Sequence, residues 1–98
     1  MNAQYDFSER HVVVFGGTTG INLGIAQAFA ATGARVSVAS RKPANVDAAV
    51  PTLGAHGFGV AADVRDDASV SAALAACVAQ HGPIDVLVSG AAGNFLAD

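Results

Sequence analysis

The sequence has no tryptophan, and it has only one residue each of cysteine, methionine and tyrosine. Lysine also occurs once, at Lys42. Charged residues make up 13% of the chain, against about 25% in an average soluble domain. Each scarcity excludes something. A single Cys77 cannot close an internal disulfide, which fits a reducing compartment and a cytoplasmic location. Five cations against eight anions leave a formal charge of −3. The chain therefore lacks the basic face that a nucleic acid or an anionic membrane would attract. No apolar stretch approaches the ~18 residues of a membrane span, and the opening MNAQYDFSERH has no signal-peptide pattern. His11, His56 and His81 do not have metal-ligand spacing, so no metal site is expected. What is abundant is small and apolar: 22 alanines, 13 valines and 11 glycines, with hydrophobic residues at 52%. That excess rules out a disordered chain, and 98 residues allow one domain.

Two hydrophobic periods alternate along the chain. Residues 11–15 (HVVVF) form an unbroken apolar run rich in β-branched side chains, as expected of a strand buried on both faces. From Ile21 to Thr32, apolar residues at Ile21, Ile25, Ala28 and Phe29 make a helical stripe, with Gly33 placed to cap its end. A second strand is expected at 35–39 (RVSVA). Residues 44–55 are weakly helical, interrupted by Pro51 and Gly54. A third strand is read at 57–62. Asp66 can cap a helix whose stripe is Val70, Ala73, Leu74, Cys77, Val78 and His81, and Gly82-Pro83 ends it. A fourth strand is read at 84–88 (IDVLV). The order βαβαβαβ predicts an α/β fold, a Rossmann-like parallel sheet of strand order 3-2-1-4 with right-handed crossovers. It corresponds to the amino-terminal portion of a doubly wound dinucleotide-binding fold. A ligand crevice is then expected between the carboxyl ends of strands 1 and 4.

The loop after strand 1 reads FGGTTGINLGIA, with glycines at 16, 20 and 24 and an extra one at 17. A strand-to-helix turn of this kind needs backbone angles that glycine supplies, and the free N–H groups of the following helix suit a pyrophosphate. Thr18 and Thr19 add hydroxyl donors. A Walker loop is excluded because no Lys follows, and G-x-G-x-x-G spacing is absent as such. Strand 2 ends in Ser40-Arg41-Lys42. A free ribose 2′-OH usually meets an acidic residue there, whereas a 2′-phosphate meets a cation, so NADP is favoured over NAD. Ser40-Arg41 also argues against a methyltransferase-like fold, whose cofactor has no 2′-phosphate and commonly meets an acidic residue there. Asp63 can accept from an adenine amino group or can belong to the acidic helix start 63–67, and its type alone does not decide. Cys77 reads as a packing residue on the apolar stripe.

These motifs resemble the amino-terminal part of the short-chain dehydrogenase/reductase family. FGGTTGINLG stands where that family has T-G-x-x-x-G-x-G, and the AAG of SGAAGNF where it has N-A-G. Within the family, VASRK at 38–42, ADVRD at 62–66 and AAGNF at 91–95 resemble 2,4-dienoyl-CoA reductases of the peroxisomal and bacterial type. The resemblance implies NADPH held by Gly16, Gly17, Thr18, Thr19, Gly20, Ile21, Asn22 and Leu23. It implies the 2′-phosphate at Ser40 and Arg41, the adenine at Asp63 and Val64, and the ribose and nicotinamide end at Ala91, Ala92 and Gly93. Arg65 and Phe95 would contact an acyl-CoA substrate. Phe15 and Asn22 replace the motif's Thr and third Gly, and Ser89-Gly90 replaces the usual Asn pair.

The family's chemistry uses a Tyr as general acid with a Lys four residues later. Here the only Tyr is Tyr5, followed four residues on by Glu9, and Lys42 already belongs to strand 2. The expectation is a cofactor-binding half without its own catalytic residues, inactive alone, from a longer homo-oligomeric NADPH-dependent reductase of a small-molecule substrate. A 3-oxoacyl reductase or a sugar or steroid dehydrogenase is the alternative within the family, and a non-catalytic nucleotide-binding module the alternative outside it. Strand 4 would stand as an open apolar edge, so the 98-residue chain is expected to be marginally stable or to self-associate.

Overall fold

A computed structural model describes residues 9–16 and 20–89, together with the backbone of 95–97. Strand β1 (His11–Phe15) leads into helix α1 (Gly20–Ala31), then β2 (Arg35–Ser40) and helix α2 (Pro43–Ala49). A 3₁₀ segment (Val50–His56) leads to β3 (Gly57–Ala61), helix α3 (Asp67–His81), β4 (Val86–Ser89) and β5 (Phe95–Ala97). The sheet order is β3-β2-β1-β4-β5. Its first four strands are parallel, and β5 runs antiparallel to β4 with Ser89 opposite Phe95. The expected Rossmann order 3-2-1-4 is therefore the observed one. The expectation that strand 4 forms the open edge is corrected: β5 pairs along it. A three-residue strand has too little alternation to be seen in sequence, and its partner is what makes it a strand.

Central β1 is buried on both faces, which its unbroken apolar run requires. Val12 and Val14 point with Val36 and Val38 towards Ala26 of α1, Ala49 of α2 and Leu53. Val13, Phe15 and Ala39 point the other way, towards Ala73 and Cys77 of α3. The chain thus places α1 and α2 on one face and α3 on the other. This change of side accompanies the jump from β3 to β4, and it leaves a crevice at the carboxyl ends of the strands.

The weakly helical 44–55 resolves into two pieces. Helix α2 begins with Pro43 in its first turn and ends at Ala49. Pro51 cannot donate to an α-helical ladder, so the chain tightens into the 3₁₀ segment and breaks at Gly54. Gly59 lets this layer lie against β3: a Cβ there would stand 2.4 Å from Val46 Cγ1 and 2.6 Å from Val50 Cγ2. Asp66 caps α3 as expected, its Oδ1 accepting from the N–H groups of Ala68 (3.0 Å) and Ser69 (3.4 Å).

At the amino ends of the strands lies a buried polar cluster that no motif announces. His11 is 0% exposed. Its Nδ1 lies 3.0 Å from the Gly82 carbonyl and its Nε2 2.7 Å from Ser37 Oγ. A carbonyl can only accept, so Nδ1 carries the proton and Nε2 accepts from the Ser37 hydroxyl. Cys77 is hydrogen-bonded to the same hydroxyl, and burial pushes its thiol pKa up. The His81 ring meets His11 edge-on at 5.2 Å between centroids.

Candidate functional site

The carboxyl ends of β1, β2 and β3 converge on a cleft of about 400 Å³, within the range of small-molecule sites. Gly16 is its floor, in the left-handed region at φ 76°. The Gly16 N–H donates to the Ala39 carbonyl at 2.7 Å, which ties the end of β1 to the end of β2. A side chain at Gly16 would be strained by its backbone and would approach Asn22 Nδ2 at 3.7 Å. Asn22 therefore lays its amide beside the turn where the resemblance has a glycine.

One wall carries the positive charge. Ser40 ends β2, and its Oγ accepts weakly from the Lys42 N–H at 3.5 Å. Arg41 and Lys42 follow, both exposed. The opposite wall is the turn after β3. Arg65 grips Asp63 there: its backbone N–H (2.9 Å) and Nε (3.1 Å) donate to Oδ1, and Nη2 (3.1 Å) donates to Oδ2. These side-chain and backbone donors of Arg65, with a smaller contribution from Arg41, bring the Asp63 carboxyl down to about 2. Ser69 Oγ accepts from the Asp63 N–H at 2.9 Å, which anchors the turn to α3.

Of the residues singled out in sequence, Gly16, Ser40, Arg41, Asp63, Val64 and Arg65 line this one cleft. Lys42 and Asn45 line it too. Asn45 was not foreseen, because nothing local shows that the first turn of α2 faces the cleft. Gly20, Ile21, Asn22 and Leu23 form the first turn of α1, where Ile21 is 79% exposed and Leu23 packs on the core. Gly17, Thr18, Thr19, Ala91, Ala92 and Gly93 lie outside the described residues, and Phe95 is placed only as a backbone position of β5. Val64 also borders a smaller hollow of about 180 Å³, lined by Phe15, Val70, Leu74 and Leu87 on the α3 side. Among the described residues, no group of three or more His, Cys, Asp or Glu could hold a metal ion. No helix among them is long and apolar enough to cross a membrane.

A sheet of order 3-2-1-4, a glycine turn after β1 and a cleft at the strand ends define a fold of the Rossmann class. Residues 10–97 match the family described as short chain dehydrogenase, and the chain belongs to that family. It is 34% identical over 88 residues to a peroxisomal 2,4-dienoyl-CoA reductase [(3E)-enoyl-CoA-producing] of Arabidopsis thaliana, covering 87% of this chain and 30% of that protein. Among solved structures, the 3-ketoacyl-(acyl-carrier-protein) reductase from Brucella melitensis complexed with NADH superposes with a TM-score of 0.78 at 32% identity. That match covers 81% of this chain and 32% of that one. The NADPH-bound short chain oxidoreductase from Pseudomonas aeruginosa PAO1 containing an atypical catalytic center superposes at 0.82 and 34% identity, over 87% of this chain and 35% of that one. The chain spans about a third of the length of the relatives it matches.

Proposed function

We propose that this chain is the cofactor-binding part of an NADPH-dependent oxidoreductase that reduces an enoyl- or 2,4-dienoyl-CoA thioester. The observation that carries the cofactor reading is the end of β2, where Ser40, Arg41 and Lys42 line the cleft with no acidic residue at that strand end. A 2′-phosphate fits this chemistry better than a bare ribose diol, and the guanidinium fork matches phosphate oxygens. Gly16 and the first turn of α1 suit the pyrophosphate, and Asp63 and Val64 the adenine side. The bound nicotinamide would supply the hydride. The substrate reading rests on VASRK, ADVRD and AAGNF and is supported by the likeness to the dienoyl-CoA reductase. A 3-oxoacyl substrate is the second reading, favoured by the likeness to a 3-ketoacyl reductase. A homo-oligomer in the cytoplasm, with Ala91, Ala92 and Gly93 at the ribose and nicotinamide end, completes the proposal.

Fluorescence titration with NADPH and NADH tests the cofactor reading. Tighter binding of NADPH is expected, with Arg41→Ala weakening NADPH by roughly tenfold or more and NADH little. Equal affinity for the two cofactors, unchanged by Arg41→Ala, would overturn it. Following nicotinamide absorbance with a 2,4-dienoyl-CoA and a 3-ketoacyl thioester separates the substrates, and binding without turnover of either points to a non-catalytic module.

A further inference from the structure

The cations of the cleft share it with an anion. Arg41, Lys42 and Asp63 border both hollows that adjoin at the ends of β2 and β3. A free carboxylate in that position would draw Arg41 to itself and repel an incoming phosphate dianion. Arg65 weakens both. Its backbone N–H and two guanidinium N–H groups occupy both Asp63 oxygens at 2.9–3.1 Å, so the negative charge is answered within the turn. The Arg65 side chain remains 70% exposed.

We infer that Arg65 is a specificity-determining positioning residue: by holding the Asp63 carboxylate it leaves Arg41 and Lys42 available to a 2′-phosphate. With Arg65 in place, the cleft presents three cations to one anion; without it, two to one, and Asp63 is free to pair with Arg41. This rests on the cofactor reading above and adds to it a role on the cofactor side for a residue that the resemblance assigns to substrate. Because Arg65 acts through Asp63, its removal should matter only for ligands with a 2′-phosphate. The lost preference for a 2′-phosphate should also largely return when Asp63 is neutralised as well.

The experiment is a set of dissociation constants for NADPH and NADH with the wild-type protein, Arg65→Gln, Asp63→Asn and the double variant, with melting temperatures alongside. Arg65→Gln is expected to weaken NADPH by about three- to tenfold and NADH by less than about twofold, with the difference shrinking at high salt. Asp63→Asn in the Arg65→Gln background is expected to restore most of the preference for NADPH over NADH, since an adenine contact of Asp63 is common to both cofactors. Arg65→Lys, which keeps the charge but loses the fork, should fall between wild type and Arg65→Gln. Equal weakening of both cofactors, or no rescue in the double variant, overturns the inference and leaves the cofactor reading standing. A wild-type protein that binds neither cofactor overturns both.

Discussion

His11 shows what one residue can impose. It is sealed at the head of the central strand, neutral, with both ring nitrogens engaged. Burial holds its pKa below the ordinary 6.5, aided by Arg35 and opposed by the Gly82 carbonyl and Asp85. His81, edge-on to it, is lowered by burial and by His11 itself. Arg10 lies at the margin, ion-paired with Asp85 at 3.5 Å. Since the folded-state values lie below the unfolded one, the unfolded chain takes up protons first as pH falls. The stability tied to neutral His11 is therefore complete above about pH 6.5 and declines below it, by at most about 1.4 kcal/mol per pH unit. Denaturant midpoints at pH 7.5 and 5.5 should show this decline. His11→Asn should start about 2 kcal/mol less stable, because Ser37 loses its acceptor, yet vary less between the two pH values. A variant with the same pH slope as wild type would refute the assignment. Neither the histidine pair nor the Asp63–Arg65 fork was legible in the sequence. The first joins residues 70 apart, and the second depends on the path of a turn whose charges read equally well as a helix start.

At the scale of elements, legibility followed burial. Strands β1 and β2 could be read because side chains packed on both faces leave an uninterrupted β-branched run. Helix α3 could be read from its Asp66 cap and its stripe through Ala73 and Cys77. The Ser40-Arg41-Lys42 end of β2 was equally readable, since its place is set by the strand before it. The passage from α2 to the 3₁₀ segment was not, because its geometry answers to the β3 surface beneath. Gly59 is where that fit is tightest. Gly59→Ala is expected to destabilise the fold by about 1–3 kcal/mol through overpacking against Val46 and Val50. Chemical denaturation of Gly59→Ala alone and with Val46→Ala should show partial recovery in the pair. Additive losses would mean that the contact is not the cause.

For the whole molecule, the sheet has one well-protected centre and two thin margins. Short β5 displaces the open edge from β4, yet the hollow beside Val64 leaves apolar surface on the α3 side. The clasp at the start of β1 bears on how such a chain assembles. The His11 N–H donates to Asp85 Oδ2 and the His11 carbonyl accepts from the Asp85 N–H, both at 2.9 Å, across 74 residues. The β1–β2 pairing joins residues only 24 apart, such as Val12 and Val36. Loop-closure entropy alone makes the longer connection about 1 kcal/mol more costly. The three strands β1, β2 and β3 should therefore gain order as a unit, with the β4 segment docking afterwards. Pulse-labelled hydrogen exchange during refolding would see β2 amides protected before those of β4, and simultaneous protection would contradict it. A nascent chain emerging in sequence order would accordingly wait with one flank of its central strand unpaired until Val86–Ser89 had been made.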